Sequence, residues 1–220
     1  SNEGGEPELK LQSDQGDDFD DLFSIRAVNE HALNIINFTG DTATSMMFIS
    51  GSGQVGIGTT QPASMLHLHG TDPILRFQDS AGGDVFGIYN SDSLGLGFYN
   101  FTDSRQDVTI DGSGNVGIGK SSIDMARDGR TALEIGAEGT LYSNTTSAQG
   151  GVTGLGHNYY YDSSNQAKFM RANEEAATME IYNGGFYFYS DSRTDQSADA
   201  NASVTSKLTI GSDGGIVQAR

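Results

Sequence analysis

The sequence predicts an all-β protein, and three observations support that fold class. Val108 and Ile110, followed by Val116 and Ile118, alternate with polar residues or glycine, which is the period of two of a half-buried strand. Turn segments rich in glycine separate such runs, and glycine supplies 30 of the 220 residues, about twice the usual ~7%. Helix signals are weak, because the best segment, residues 121–127, would form only about two turns.

The chain contains three copies of one pattern. Each copy has an alternating apolar strand, then a turn of glycine, serine or aspartate, then a second short apolar stretch. A related aromatic or apolar strand lies upstream of each copy. The copies read MFISGSGQVGIGT (47–59), DVTIDGSGNVGIG (107–119) and KLTIGSDGGIV (207–217), and the upstream strands read LNIINFT (33–39), LGFYNFT (96–102) and FYFYSDS (186–192).

This repetition divides the chain into three parts. Residues 1–22 hold eight acidic residues against one lysine, which predicts a flexible acidic leader. Residues 23–122 hold two repeat units and are expected to form a stalk. Residues 123–220 hold a third unit that is enlarged by insertions, and we expect this unit to form a β-rich tip that binds a receptor.

The composition favours self-association. Leucine, isoleucine, valine and phenylalanine total 46 residues, close to the ~20% below which a highly charged chain is usually disordered. Short units with small hairpins bury too little apolar area alone. We therefore expect an intertwined homotrimeric fibre of β-hairpin or β-prism units, in which the apolar face of each strand meets two others.

Charge and hydropathy exclude two classes of partner. The formal net charge is −17 and the pI is near 4.3, so phosphate backbones would repel the surface and we expect no nucleic-acid partner. No apolar run approaches the ~18 residues of a membrane-spanning helix, so we expect no membrane insertion.

The repeats resemble those of trimeric phage tail fibres. The segments GQVGIGTTQPASMLHLHG (53–70) and GNVGIGKSS (114–122) are similar to the recurring pattern G-x-V-G-I-G-T-x-x-P…L-H-V of that family, which often precedes an endosialidase-type intramolecular chaperone. Residues 157–217 resemble a second part of the same family, which has relatives among the fibre adhesins of predatory bacteria. The third unit departs from the pattern, with Gly-Gly-Ile-Val where the family has Val-Gly-Ile-Gly.

His67 and His69 are candidate metal ligands. Residues two apart on a strand share a face, so three chains could bring six imidazoles to one axis and hold a transition metal. Some tail fibres hold iron in this way. The alternative is that His67 fills the usual L-H-V position and that His69 is exposed, in which case the protein has no cofactor.

The sequence carries no enzymatic signature. Gly51-x-Gly53-x-x-Gly56 has the spacing of a dinucleotide fingerprint, but no helix signal follows it, and the pattern recurs at residues 112–117 as a structural repeat would. The four histidines are scattered and no Gly-x-Ser-x-Gly elbow occurs. We therefore expect a protein that is not an enzyme. A tailspike that cleaves glycans with carboxylates from different chains is an alternative.

The aromatic residues of the third unit are the candidate ligand site. Along a strand, Phe186 and Phe188 would share the core face, which leaves two tyrosines facing outward to stack on sugars. Nearby cations could bind phosphate or carboxylate groups of a glycan. The opposing interpretation is that the tyrosines pack between subunits. The candidate ligand-binding residues are Tyr159, Tyr161, Lys168, Arg171, Tyr187 and Tyr189.

The expected function is attachment. The resemblance implies an extracellular homotrimer, either a virion tail fibre or a bacterial cell-surface or secreted fibre, that binds a surface glycan or envelope component of a target cell. A purely structural shaft, with the recognition domain elsewhere, fits the repeats equally well.

Overall fold

A computed structural model shows an all-β chain, which confirms the predicted fold class. No α-helix occurs in the residues that the structure describes, and the weak helix signal is not realised at positions 121–124; its remainder lies outside them. No helix in the described part of the chain is long and apolar enough to cross a membrane. The described residues are 6–12, 22–28, 31–39, 42–124, 130–144, 151–164 and 166–218.

The chain divides into two compact units, Ser1–Pro73 and Ile74–Arg220. The first unit contains a six-stranded sheet in the order β1-β2-β3-β4-β5-β6, antiparallel except for the β5–β6 pair. Its strands are β1 (Glu8–Gln12), β2 (Leu22–Val28), β3 (Ala32–Thr39), β4 (Thr42–Ile49), β5 (Val55–Ile57) and β6 (Leu66–Leu68).

The predicted leader contains the first of these strands. Glu8–Gln12 pairs with β2 in antiparallel register, and the Arg26 guanidinium donates to the Glu8 carboxylate at 2.8 Å. This part of residues 1–22 therefore differs from the expected flexible segment, because alternation of Leu9 and Leu11 with polar residues gives it a strand face. Positions 1–5 and 13–21 lie outside the described residues.

The second unit contains a twelve-stranded sheet and a two-stranded hairpin, β15–β16. The sheet is an antiparallel meander from β7 to β20, with a parallel β11–β12 pair and with β17 next to β14. Its strands, with those of the hairpin, are β7 (Ile74–Gln78), β8 (Val85–Ser91), β9 (Gly95–Asn100), β10 (Arg105–Ile110), β11 (Val116–Ile118), β12 (Arg130–Ile135), β13 (Gly139–Asn144), β14 (Thr153–His157), β15 (Tyr160–Tyr161), β16 (Ala167–Lys168), β17 (Ala176–Tyr182), β18 (Gly185–Asp191), β19 (Thr205–Ile210) and β20 (Ile216–Gln218).

The three sequence copies form the same four-stranded meander. β2–β5, β8–β11 and β17–β20 each run as consecutive antiparallel strands. Each meander also has one register shift between its second and third strands, at Ile35/Ile36, Gln106/Val108 and Phe188/Tyr189. A bulge at the same place in three copies shows that the repeat extends to backbone irregularity.

The repeated turn closes in the same way each time. In the second copy the N–H of Asp111 donates to the carbonyl of Asn115 at 3.0 Å, and the N–H of Gly114 donates to the carbonyl of Asp111 at 3.1 Å. Gly114 has a φ of 85°, a conformation that favours glycine. Equivalent bonds close the turns at positions 50–54 and 211–215.

The strand that follows each Val-Gly-Ile-Gly segment pairs in parallel with it, β6 with β5 and β12 with β11. In the second copy a Cβ on Gly117 would lie 2.8 Å from the Lys120 carbonyl oxygen, so the loop requires glycine there. The carboxylate of Glu134, the penultimate residue of β12, is fully buried and accepts the Asp124 N–H at 2.9 and 3.0 Å. Its second partner is the Lys120 ammonium at 2.9 Å.

The first copy repeats this arrangement with a histidine. A Cβ on Gly56 would overlap the Thr59 carbonyl oxygen, and the Ala63 N–H donates to Nδ1 of His67 at 3.4 Å. The register Gly56↔His67 in β5–β6 matches Gly117↔Glu134 in β11–β12. His67 therefore takes the position that Glu134 holds in the second copy.

Each sheet carries a continuous file of apolar side chains on one face. In the first unit the file crosses all six strands, and in the second it crosses nine consecutive neighbours of the sheet, from β9 to β19. The members are Leu9, Ile25, Ile35, Met47, Ile57 and Leu68 in the first unit, and Leu96, Ile110, Val116, Leu133, Leu141, Leu155, Met179, Phe188 and Leu208 in the second.

This apolar face, defined by the file and the side chains beside it, is largely uncovered. Among the described residues of the second unit, fourteen large apolar side chains are exposed, and the strand register puts twelve of them on the apolar face. Leu155 is 55% exposed and Phe186 is 44% exposed. The buried cluster instead lies on the opposite face, under the β15–β16 hairpin, and contains Ala132, Tyr142, Tyr159, Tyr160, Phe169, Met170 and Ala176.

Candidate functional site

The covered face of the second unit has a polar centre. The Tyr142 hydroxyl donates to Oε1 of Glu180 at 2.6 Å and lies 3.0 Å from the Thr178 hydroxyl, and the Tyr161 hydroxyl donates to the same carboxylate oxygen at 3.1 Å. Arg130 lies over the Tyr161 ring at 4.0 Å, a cation–π contact that compensates its burial. Burial and the Glu180 carboxylate raise the pKa of Tyr142, so this phenol stays neutral.

Tyr159 and Tyr161 share one side of their segment, as alternation predicts. Their rings are 5.3 Å apart in an edge-to-face contact, while the Tyr160 hydroxyl donates instead to Asp199 at 2.6 Å. Tyr159 is only 1% exposed, which differs from the surface position that we expected. The hairpin folds back over the sheet and encloses this ring, so Tyr159 offers no face for a sugar.

The predicted cations are already paired with carboxylates of the chain. The Lys168 ammonium lies 3.5 Å from Asp162, and the Arg171 guanidinium donates to Glu138 at 2.9 Å. Nδ1 of His157 lies 3.5 Å from the other oxygen of Glu138. Lys168 and Arg171 therefore lie in separate ion pairs and not in one cationic patch.

Three tyrosines form a stack on the face opposite the apolar face, at β17 and β18. The ring centroids of Tyr182 and Tyr187 are 4.0 Å apart at an interplanar angle of 17°, and those of Tyr187 and Tyr189 are 6.3 Å apart at 7°. The hydroxyls of Tyr182 and Tyr189 are 3.0 Å apart. Burial and this contact raise the pKa of Tyr189, so its phenol stays neutral at ordinary pH. We name Tyr182, Tyr187 and Tyr189 the tyrosine ladder.

The ladder follows from strand register. Pairing of Tyr182 with Gly185, and of Glu180 with Tyr187, puts the three rings on one face. Tyr187 and Tyr189 share the face opposite Phe188, as alternation predicts. Tyr182 belongs to the aromatic residues of the third unit but was not among the ligand-binding residues chosen from the sequence, because its place beside Tyr187 follows from the pairing of β17 with β18.

The second repeat does not form such a stack. Tyr99 holds the position of Tyr189, but Gly97 stands where the third repeat has Tyr187, and Tyr89, which pairs with Gly97, holds the position of Glu180. The Tyr89 ring covers Gly97, and its hydroxyl donates to Gln106 at 2.6 Å. The three-ring stack is therefore specific to the third repeat.

A carboxylate clasp fixes the loop that follows β18. Asp191 is 5% exposed, and its oxygens accept Nε of Arg193 at 2.9 and 3.0 Å and the Ser203 N–H at 2.7 Å. The paired guanidinium and these N–H donors outweigh burial and hold the pKa of Asp191 at about 2.

His67 and His69 lie side by side, as their spacing predicts, with ring centroids 5.9 Å apart. They are on the face opposite Leu66 and Leu68, which belong to the apolar face. Each ring has a backbone neighbour, the Ala63 N–H for His67 and the Gly58 carbonyl at 3.3 Å for His69. No group of three or more metal-ligating side chains occurs within the described part of the chain.

No protein family matches the chain, and no curated protein sequence matches it.

Proposed function

We propose that this chain is one subunit of a homotrimeric fibre adhesin that attaches to a target cell by binding a surface glycan or envelope component. The observation that carries the proposal is the division of the second sheet into two faces. One face is apolar and uncovered, and the other bears the tyrosine ladder.

The apolar face supports self-association. Twelve large side chains, each between 38% and 70% exposed, form a patch well beyond the few hundred Å² that soluble monomers expose. An open groove on this face, lined in part by Leu155, Ala177 and Phe188, gives room for side chains of another copy. Three copies follow from the resemblance to trimeric fibres, and burial of the faces against one another supplies the driving force.

The same arrangement puts the tyrosine ladder outside. If the apolar faces meet at the centre, the opposite faces of the sheets form the surface of the fibre. The ladder then lies on that surface, where amphipathic rings suit sugar binding. Three ladders on one fibre would raise the apparent affinity through multivalency.

This arrangement does not favour an axial metal. Leu66 and Leu68 would point to the centre and the imidazoles of His67 and His69 would point away from it. We therefore propose a fibre whose assembly requires no metal cofactor, with the histidine of β6 serving as the acceptor that fixes its loop.

A structural shaft is the second candidate, and one observation favours it. The apolar file continues without a break through Leu141, Leu155, Met179 and Phe188, inside the enlarged third unit. A shaft requires that regularity. The thickening of the opposite face by the β15–β16 hairpin and the three-ring ladder favours a tip. In either case we propose an extracellular location, on a virion tail or on a bacterial surface or secreted fibre.

Binding of the intact trimer to glycan arrays and to whole cells tests the proposal. We expect the wild-type protein to bind, and the double variant Tyr187→Ala/Tyr189→Ala to lose at least about tenfold in affinity while remaining trimeric. Tyr99→Ala is the matched control, because it removes the equivalent ring of the second repeat. A trimer that binds no glycan and no cell would favour the shaft.

A further inference from the structure

We propose that the tyrosine ladder binds an uncharged sugar, a neutral pyranose chain, and not an acidic one. This inference rests on the proposed function and names the chemical class of its ligand.

The rings of the ladder are arranged for stacking. Tyr182 and Tyr187 are nearly parallel at 4.0 Å, and Tyr189 continues the same orientation at 7° to Tyr187. The hydroxyl contact between Tyr182 and Tyr189, at 3.0 Å, holds the outer two residues together. Rings fixed in this way lose little conformational entropy when a sugar stacks on them, and phenol hydroxyls bond to neutral sugar hydroxyls.

Binding of an acidic sugar would require lysine or arginine side chains that are not already in ion pairs. In the third unit, three of these side chains pair with carboxylates of the same chain. Lys168 pairs with Asp162, Arg171 with Glu138, and Arg193 with Asp191. Arg130 is 7% exposed and lies against tyrosine rings. Lys168, Arg171 and Arg193 are therefore already paired, and Arg130, although its Nε and Nη1 have no hydrogen-bond partner within the described residues, is buried out of reach of a carboxylate, phosphate or sulfate group.

The remaining described cation is Lys207. It is exposed and lies at the bulge where β19 passes Phe188 and Tyr189. A single exposed ammonium contributes little to anion binding at physiological ionic strength, within a chain of net charge −17.

The carboxylates of the same face also disfavour an acidic ligand. Glu180 pairs directly with Tyr187 across β17 and β18, and Asp191 lies two residues after Tyr189 with a pKa of about 2. Each already has a partner inside the chain, because the Tyr142 and Tyr161 hydroxyls donate to Glu180 and Arg193 pairs with Asp191. The net charge of −17 would repel a sugar carboxylate that finds no unpaired cation beside the ladder, whereas a neutral sugar would meet no such repulsion.

Titration of the intact trimer with two oligosaccharide sets tests the inference. The neutral set is malto-, manno-, galacto- and N-acetylglucosamine oligosaccharides, and the acidic set is sialyllactose and oligogalacturonate. We expect the neutral set to contain the binder, with a Kd that changes less than about twofold between 50 and 500 mM NaCl, because no ion pair forms. Lys207→Gln should also change it less than about twofold, whereas Tyr187→Ala/Tyr189→Ala should abolish binding.

The contrary results separate the two proposals. Binding could instead be confined to the acidic set and be weakened about tenfold or more by salt or by Lys207→Gln. That result would contradict the proposal of a neutral ligand but not the proposal that the protein is an adhesin. Binding to whole cells without binding to either set would also overturn it. Failure to bind any sugar or any cell would overturn both.

Discussion

Single side chains of the third unit stabilise its loops by accepting several N–H groups. Asp191 shows this best, because one buried carboxylate joins the Arg193 guanidinium to the backbone of Ser203. The clasp connects the end of β18 to the segment before β19 and so supports the strand that carries the tyrosine ladder.

Asp191→Asn should lower the free energy of unfolding by about 1–2 kcal/mol at pH 7. The folded pKa, about 2, lies below the ordinary 3.8 of an unfolded aspartate, so the stabilisation is complete above pH ~4 and disappears as the pH falls through about 2. Urea unfolding at fixed protein concentration, at pH 7 and at about pH 3, measures the difference between the two proteins.

The matched control for this clasp is Asp84→Asn, which changes an exposed aspartate of the same unit. Its stability should stay within about 0.5 kcal/mol of wild type at both pH values. If the difference in the free energy of unfolding between Asp191→Asn and wild type is as large at about pH 3 as at pH 7, the charge of the Asp191 carboxylate is not what stabilises the loop.

At the scale of elements, the Val-Gly-Ile-Gly segments and the loops after them are the recurring device of the fold. The glycine lets the loop carbonyl approach the sheet, and the residue that pairs with this glycine on the next strand accepts the loop N–H. In the second copy the Lys120 ammonium joins this contact. Burial opposes its charge, but ion pairs with Asp124 and Glu134 outweigh burial and raise the pKa of Lys120.

Gly117→Ala should destabilise the second unit by about 1–3 kcal/mol, because the new methyl group would meet the Lys120 carbonyl and the Ile123 side chain. The melting temperature should fall by several degrees. Gly112→Ala in the preceding turn is the control, since a Cβ there meets nothing within 4 Å. Equal melting temperatures for the two variants would show that the loop adapts without cost.

At the scale of the whole molecule, the distribution of apolar surface dominates. The buried cluster of the second unit includes three tyrosines, while most of its leucine, isoleucine and phenylalanine side chains stand on an uncovered face. Covering this face in the proposed assembly would add stability that the single folded chain lacks, because the hydrophobic contribution scales with the area removed from water.

Leu155→Asp should dissociate the proposed trimer, because burial of a charge at the centre of the apolar face costs several kcal/mol in each copy. Val217→Asp is the control, because Val217 is 67% exposed and lies on the opposite face, paired with Thr209. Sedimentation velocity at micromolar concentration distinguishes the species. A wild-type monomer, or a Leu155→Asp trimer, would contradict the assignment of this face.

Local sequence patterns were sufficient to predict the repeated strands and the turns between them. Val108, Ile110, Val116 and Ile118 alternate as predicted, and the turn between them closes through Asp111 and Gly114. The placement of Tyr159 was not predictable in this way, because its burial depends on packing of the adjacent hairpin against Ala132 and Tyr142, which lie on strands earlier in the chain. The third ring of the ladder, Tyr182, likewise needed the pairing of β17 with β18.

The sequence by itself determined the all-β class, the threefold repetition and the face on which each strand residue lies, because these depend on the period of two and on local turn chemistry. Only the tertiary structure decided which of the two faces is covered. The β15–β16 hairpin packs on the tyrosine and glutamate side and leaves the apolar side open. Which face is covered depends on contacts between residues distant in sequence. The sequence pattern does not decide it, because a strand has the same period of two whichever of its faces is buried.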